Sequence, residues 1–153
     1  MRLRSSMALF LVVGLSACNP SESVTNIENT TFAAGLGVDL AASTKTASGL
    51  YYRDITVGAG ATALAGHTIA VHYTGALANG TIFDANGTSA TPFSFVLGQG
   101  QVIAGWDEGI VGMKAGGSRQ LIIPPALGYG ASGSGPIPGN AILVFTVIMV
   151  STN

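Results

Sequence analysis

The sequence predicts an α+β domain in which one short helix packs against about five to six antiparallel strands. Stretches rich in β-branched and aromatic residues recur through the second two-thirds of the chain. Turns that contain glycine and proline separate them, and this pattern is typical of strands. Asn79-Gly80, between two such stretches, is a strong signal for a hairpin turn. A single clear helical segment, around Trp106, has apolar residues at helical spacing.

The predicted strands follow one another along the domain. They cover residues 50–57, 68–77, 81–84, 92–97, 118–123 and 141–150. In the second strand Ile69, Val71 and Tyr73 alternate with His72 and Thr74, so they lie on opposite faces. The last strand is a nearly unbroken apolar run, which indicates a central strand buried on both faces.

The predicted helix is short and has an apolar stripe. Val102, Trp106 and Ile110 recur every four residues, and Ile103 lies beside them. The strand over residues 118–123 follows the helix, and a loop rich in glycine and proline then leads to the last strand. The helix is therefore expected to pack on one face of the sheet.

The N-terminus has the features of a secretion signal. A basic start precedes a short apolar run, and small residues precede Cys18, which predicts a signal peptide over residues 1–17. The run Leu15-Ser16-Ala17-Cys18 resembles the bacterial lipobox. We therefore expect lipidation of Cys18 and a lipid-anchored location in the bacterial cell envelope, periplasmic or at the outer membrane. A plain signal peptide, or a free thiol without a role, is the alternative.

A flexible tether is predicted between the signal and the domain. Residues 18–48 are rich in Ser, Thr, Asn and Ala. Three apolar residues there fall at helical spacing, but Gly35 and Gly37 oppose a helix. The compact domain is predicted over residues 49–153.

Composition argues against several classes of function. Six basic and seven acidic residues, with no basic run, disfavour nucleic-acid binding. The single cysteine, Cys18, leaves no internal disulfide and no thiol nucleophile in the domain. His67 and His72 are expected to be structural or exposed, and the spacing of potential ligands matches no metal site. We therefore expect no metal and no cofactor.

An aromatic set with one acid beside it is the strongest functional signal. It comprises Tyr73, Phe83, Phe93, Phe95, Trp106, Tyr129 and Phe145, with Asp84 next to Phe83. Apolar walls that carry a few polar groups are typical of ligand pockets. The alternative is that the rings are simply core residues.

A reaction without a nucleophile fits such a pocket. Rotation about an Xaa–Pro bond meets a barrier of ~18–20 kcal/mol that arises from amide resonance. An apolar pocket disfavours the charge-separated resonance form and can bind the twisted transition state most tightly. A millionfold acceleration requires ~8 kcal/mol of such differential binding.

In order along the chain, a series of short motifs resembles the FKBP-type peptidyl-prolyl isomerases. They are Val71-His72-Tyr73-Thr74-Gly75, Phe83-Asp84, Pro92-Phe93, Val102-Ile103, Gly105-Trp106, Tyr129-Gly130, Ile137-Pro138 and Asn140-Ala141. The resemblance runs from about Gly49 to the C-terminus. It implies a five-to-six-stranded antiparallel sheet wrapped around one short helix.

The resemblance also implies a site. Tyr73, Asp84, Trp106 and Tyr129 would be the catalytic residues. The substrate-binding residues would be Phe83, Phe93, Val102, Ile103, Ile137 and Phe145. By this resemblance Trp106 is the floor under the proline ring, and Asp84 lies near the rotating carbonyl. The N–H of Ile103 and the hydroxyl of Tyr129 would donate to substrate carbonyls, and Phe95 would be core.

Two residues depart from the best-known eukaryotic pattern of this family. Ser89 stands where an arginine often pairs with the aspartate, and Gln101 stands where a glutamate is common. The resemblance implies a protein that accelerates Xaa–Pro rotation in proline-containing polypeptides, with macrolide inhibitors as further ligands. The secretion signal predicts that these polypeptides are exported and that Cys18 is the membrane attachment. The lack of a strong dimerisation helix favours a monomer. The alternative function is a non-catalytic protein-binding module or chaperone of the same fold.

Overall fold

The computed structural model describes residues 25–153 of the 153-residue chain. The predicted signal peptide, residues 1–17, and the predicted lipidation site Cys18 lie outside the described residues. Within residues 25–153, none of the helices has the length and apolar character needed to cross a membrane.

Seven strands, one α-helix and three short 3-10 helices make up the described part of the chain. The strands are β1 Thr44–Lys45, β2 Tyr51–Thr56, β3 Thr68–Leu77, β4 Ile82–Asn86, β5 Phe93–Val96, β6 Ser118–Ile123 and β7 Leu143–Thr152. The α-helix, α1, is Ala104–Gly109, and the 3-10 helices are Ile27–Asn29, Ala34–Leu36 and Pro125–Leu127. The predicted α+β class is confirmed. The strand that was not predicted is β1, which lies within the predicted tether.

All strands join one antiparallel sheet in the order β1-β2-β6-β7-β3-β4, and β5 pairs with β3 beyond this path. The central position predicted for the last strand is confirmed, because β7 lies between β6 and β3. Burial on both faces holds for its first half only. Val144 is 2% exposed, whereas Ile148 and Val150 are 38% and 46% exposed on the outer face.

Helix α1 packs on the inner face of the sheet and completes the main core. Trp106 and Ile110 from the helical segment lie in one buried cluster with Leu121, Phe145 and Val147 from the sheet. Alternate residues of β6 and β7 point inward, which brings these side chains to the helix. The inner face is therefore the face that can hold a site beside Trp106.

The N-terminal strap, residues 25–48, differs from the flexible tether that the sequence predicts. Ile27 is 4% exposed and joins Tyr51, Ile122 and Val144 in a second cluster on the outer face of the sheet. The apolar residues at helical spacing pack against that cluster instead of forming an α-helix. Burial against the sheet stabilises this irregular segment, and such packing has no periodic signature in the sequence.

Besides the pairing of β1 with β2, three side-chain hydrogen bonds attach the strap to the sheet. The Gln120 side chain donates to the Leu36 carbonyl at 2.7 Å, and Arg53 donates to the Gly37 carbonyl at 2.9 Å. The Tyr51 hydroxyl donates to Glu28 at 2.6 Å. The strap thus covers one end of the outer face, and this explains why Val144 is buried and the far end of β7 is not.

Arg119 on β6 connects the sheet to the end of helix α1. Its guanidinium, on a residue 5% exposed, donates twice to Asp54, at 2.6 and 3.0 Å. It also donates to the carbonyls of Gly109 and Val111, at 2.9 and 3.1 Å. The Tyr52 ring lies 4.7 Å from the guanidinium carbon. One buried cation therefore satisfies a carboxylate, the carbonyl of the last residue of α1 and a carbonyl just after the helix.

Candidate active site

A cavity of about 300 Å³ opens on the inner face of the sheet. Its lining residues are Tyr73, Phe83, Asp84, Phe93, Gln101, Val102, Ile103, Trp106, Tyr129 and Phe145. Strands β3, β4, β5 and β7, helix α1 and two loops contribute to it. Residues as far apart in sequence as Tyr73 and Phe145 are thus brought together by the sheet.

Nine of the ten residues that the sequence assigns to the site line this cavity. The exception is Ile137, which is 7% exposed and belongs to the main core cluster. Conversely, Gln101 lines the cavity although it was not among the predicted site residues. Its position beside Val102 in sequence was the available signal.

Trp106 lies at the base of the cavity and is 4% exposed. Its ring centroid lies 5.0 Å from that of Tyr73 and 5.2 Å from that of Phe145, with both ring pairs nearly perpendicular. Edge-to-face pairs of this kind hold rings in defined orientations. The indole is therefore fixed by its neighbours and offers a rigid apolar floor.

The walls are aromatic rings with very different exposure. Phe145 is 4% exposed and packs edge-on against Phe83 at 5.5 Å, whereas Phe93 is 40% exposed at the rim. Phe95 stacks on Phe93 at 5.6 Å but is 4% exposed and does not line the cavity. The prediction that Phe95 is core is confirmed.

The acid at the cavity mouth is oriented by a tyrosine. The Tyr73 hydroxyl donates to the Asp84 carboxylate at 2.8 Å. In residues 25–153 the ion pairs are Lys45–Glu28 and Arg119–Asp54, so Asp84 has no cationic partner there. Asp84 is exposed. Water therefore solvates the Asp84 carboxylate. The Tyr73 hydroxyl orients it, whereas Ser89 stands where an arginine could have paired with it.

Two further donors are available at the rim. Tyr129 is 38% exposed on the loop that precedes β7, where the Asn140 N–H donates to the Gly130 carbonyl at 2.8 Å and closes the loop. The backbone N–H of Ile103 makes no hydrogen bond to any residue of the described part. Both donors can therefore bind carbonyl groups of a ligand.

Alkaline titration should report on the Tyr73–Asp84 contact. Burial, and then the hydrogen bond to Asp84, raises the pKa of Tyr73 from 10.0 to about 12. Because the folded pKa is the higher one, this contribution to stability is complete below pH 10 and is lost as the pH rises towards 12. We expect the tyrosinate absorbance of Tyr73→Phe to lack one transition near pH 12, relative to the unmodified protein. Loss of a transition near pH 10 would contradict the contact.

The cavity offers shape and hydrogen bonds rather than a nucleophile. Among residues 25–153, no three side chains of His, Cys, Asp or Glu lie close enough together to hold a metal ion. The antiparallel sheet and the short helix together define an α+β domain with an aromatic cavity on the inner face of its sheet. Residues 60–150 match the family described as FKBP-type peptidyl-prolyl cis-trans isomerase. The chain belongs to this family, whose members are isomerase enzymes.

Similar proteins differ greatly in length. FK506-binding protein of Neisseria meningitidis serogroup B is 52% identical over 100 residues, which are 65% of this chain and 92% of that protein. FK506-binding protein 4 of Rhizopus delemar is 52% identical over 109 residues, 71% of this chain but 28% of that protein. The shared part is therefore a domain that also occurs within longer proteins.

Two crystal structures support the same fold. AtFKBP13 superposes with a TM-score of 0.68 at 37% identity, over 72% of this chain and 98% of that chain. FkpA from Escherichia coli superposes with a TM-score of 0.68 at 38% identity, over 73% of this chain and 52% of that chain. The FKBP fold expected from the motifs is thus confirmed.

Proposed function

We propose that this chain accelerates rotation about Xaa–Pro bonds of exported polypeptides by non-covalent binding of the twisted transition state. The cavity above Trp106 is the observation that carries the proposal, because its floor and walls are apolar and its polar groups lie at the rim. A cavity of about 300 Å³ is at the small end of ligand pockets and has room for a prolyl ring together with parts of the neighbouring residues.

In this proposal the acceleration has two sources, desolvation of the imide and hydrogen bonds to the flanking carbonyls. The prolyl ring rests on the indole of Trp106, and transfer of the imide out of water disfavours its charge-separated form. The Ile103 N–H and the Tyr129 hydroxyl hold the flanking carbonyls. The Asp84 carboxylate, oriented by Tyr73, faces the carbonyl that rotates. No proton needs to leave the protein, and this agrees with the absence of a nucleophile–base pair in the cavity.

Replacement of the Asp84 carboxylate tests whether the protein catalyses the reaction. We expect a measurable isomerase rate on a short Xaa–Pro peptide, and a fall in kcat/KM of about tenfold in Asp84→Asn, equivalent to ~1.4 kcal/mol of transition-state stabilisation. Asp39→Asn, on the strap and away from the cavity, is the matched control and should keep the unmodified rate. A folded protein whose rate equals the uncatalysed rate would overturn the proposal.

Binding without turnover is the alternative outcome. The exposed rim rings, Phe93 at 40% and Tyr129 at 38%, suit a non-catalytic module or chaperone that holds apolar segments of partner proteins. Such a module would retain partner binding in Asp84→Asn and show no isomerase rate in either form. Macrolide inhibitors are further proposed ligands, since similar proteins are named for FK506 binding.

The proposed location is the bacterial cell envelope, with the domain attached to a membrane through lipidated Cys18. The support is the sequence before the strap, where a basic start, an apolar run and small residues precede the cysteine. We expect the mature protein to begin at Cys18 and to carry acyl chains. Mass spectrometry of its N-terminal peptide would show this, and an unmodified peptide would contradict it. We further propose that the domain acts as a monomer.

A further inference from the structure

The segment between β5 and α1 delivers three neighbouring residues to the cavity. We call residues 97–103 the pocket loop; Gln101, Val102 and Ile103 at its end line the cavity. The loop contains Gly98 and Gly100, with φ of 78° and 67°. Glycine gives such a segment wide conformational freedom. An unrestrained loop would therefore leave the Ile103 N–H without a defined direction.

A carboxylate on α1 holds this loop. One oxygen of Asp107 accepts from the Gly98 N–H at 2.8 Å, and the other accepts from the Gly100 N–H at 2.9 Å. Hydrogen bonds to a charged acceptor are stronger than neutral ones. Asp107 directly follows Trp106, so the helix that supplies the floor of the cavity also fixes the loop beside it.

A second contact fixes the start of the same loop. The Gln101 side-chain oxygen accepts from the Val96 N–H at 2.9 Å, at the end of β5. Gln101, which follows the two glycines, thus connects the end of the loop to Val96, which precedes them. Asp107 itself does not line the cavity, so any influence on a bound substrate must pass through the loop.

We propose that Asp107 is a positioning residue for the isomerase reaction, an inference that rests on the proposed function. Its carboxylate holds the Gly98 and Gly100 amides so that Val102 and the Ile103 N–H keep the geometry that the twisted substrate requires. A displacement of about 1 Å at such a group can reduce a rate by roughly a hundredfold. The floor remains in place without Asp107, so ground-state binding of the prolyl ring changes less than turnover.

The kinetic test compares two neighbouring acids on α1. Asp107→Asn keeps the size of the side chain but cannot accept from both amides, and we expect kcat to fall by about tenfold with a smaller change in KM. Asp107→Glu should recover part of kcat. Glu108→Gln is the matched control, because its carboxylate accepts from the Ser48 hydroxyl at 2.7 and 2.8 Å and not from the pocket loop. The kcat/KM of Glu108→Gln should stay within about twofold of the wild-type value.

Equal losses of kcat in Asp107→Asn and Glu108→Gln would overturn the proposal. An unchanged kcat in Asp107→Asn would overturn it as well. A second measurement needs no variant: amide exchange by NMR in the unmodified protein, where we expect Gly98 and Gly100 to be protected. Unprotected exchange at both amides would also overturn it. If the unmodified protein has no isomerase rate, the proposed function fails, and the exchange data still show separately whether the carboxylate holds the loop.

Discussion

Replacement of Arg119 by alanine is expected to lower the free energy of unfolding by about 3–5 kcal/mol. The substitution leaves Asp54 without its two donors and leaves the carbonyls of Gly109 and Val111 without theirs. It also removes a side chain that is 5% exposed and packs on Tyr52. Since small domains are stable by only about 5–15 kcal/mol, this loss is a large part of the total.

Urea denaturation of purified protein would measure the effect, with Lys45→Ala as the control. Lys45 also pairs with an acid, but the two side chains are 51% and 49% exposed. Water screens the charges of exposed pairs, so only a small change in the free energy of unfolding is expected there. Similar losses in the two variants would show that Arg119 does not act as a buried connection between sheet and helix.

The substitution Gly75→Ala is expected to reduce isomerase kcat/KM by about tenfold or more, because it displaces two cavity rings. A Cβ at this position would lie 2.5 Å from Cε1 of Phe145 and 2.8 Å from Cε2 and Cζ of Phe83. Carbon atoms cannot approach so closely, so the rings must move. Such overpacking costs typically about 1–3 kcal/mol of stability, and the loss of activity should exceed what this instability explains.

Gly87→Ala is the matched control, because a Cβ there has no neighbour within 4 Å. Both variants would be assayed for kcat/KM and thermal unfolding under the same conditions. We expect Gly87→Ala to resemble the unmodified protein in both measurements. An unchanged kcat/KM in Gly75→Ala would mean that the cavity tolerates displaced rings, and the proposed transition-state geometry would then be wrong.

The strands were the most predictable part of the fold. The predicted bounds 68–77 and 118–123 agree with β3 and β6, because period-2 alternation and adjacent turns specify a strand locally. The strap was not predictable in the same way. Ile27 is buried by residues of β2, β6 and β7, and nothing in its own neighbourhood in sequence indicates this.

The site shows the same division between local and tertiary information. Nine cavity residues followed from the resemblance of short motifs to the FKBP-type isomerases, because such motifs are local in sequence. Ile137 is not among the residues that line the cavity, because the path of its loop buries it in the main core. Its contact with substrate stays a prediction. Gln101 was missed for the related reason that its position depends on contacts of the pocket loop with Val96 and α1.

By itself, then, the sequence determined the class of fold, the order of the strands along the chain and most of the aromatic cavity. Periodicity, turn residues and short motifs are local properties, and these features depend on them. The tertiary structure alone decided the packing of the strap, the Tyr73–Asp84 contact and the connection of Arg119 to Asp54. These pairs are 11 and 65 residues apart, respectively. Contacts at such separations are created by the sheet register and by the packing of α1, which no local pattern specifies.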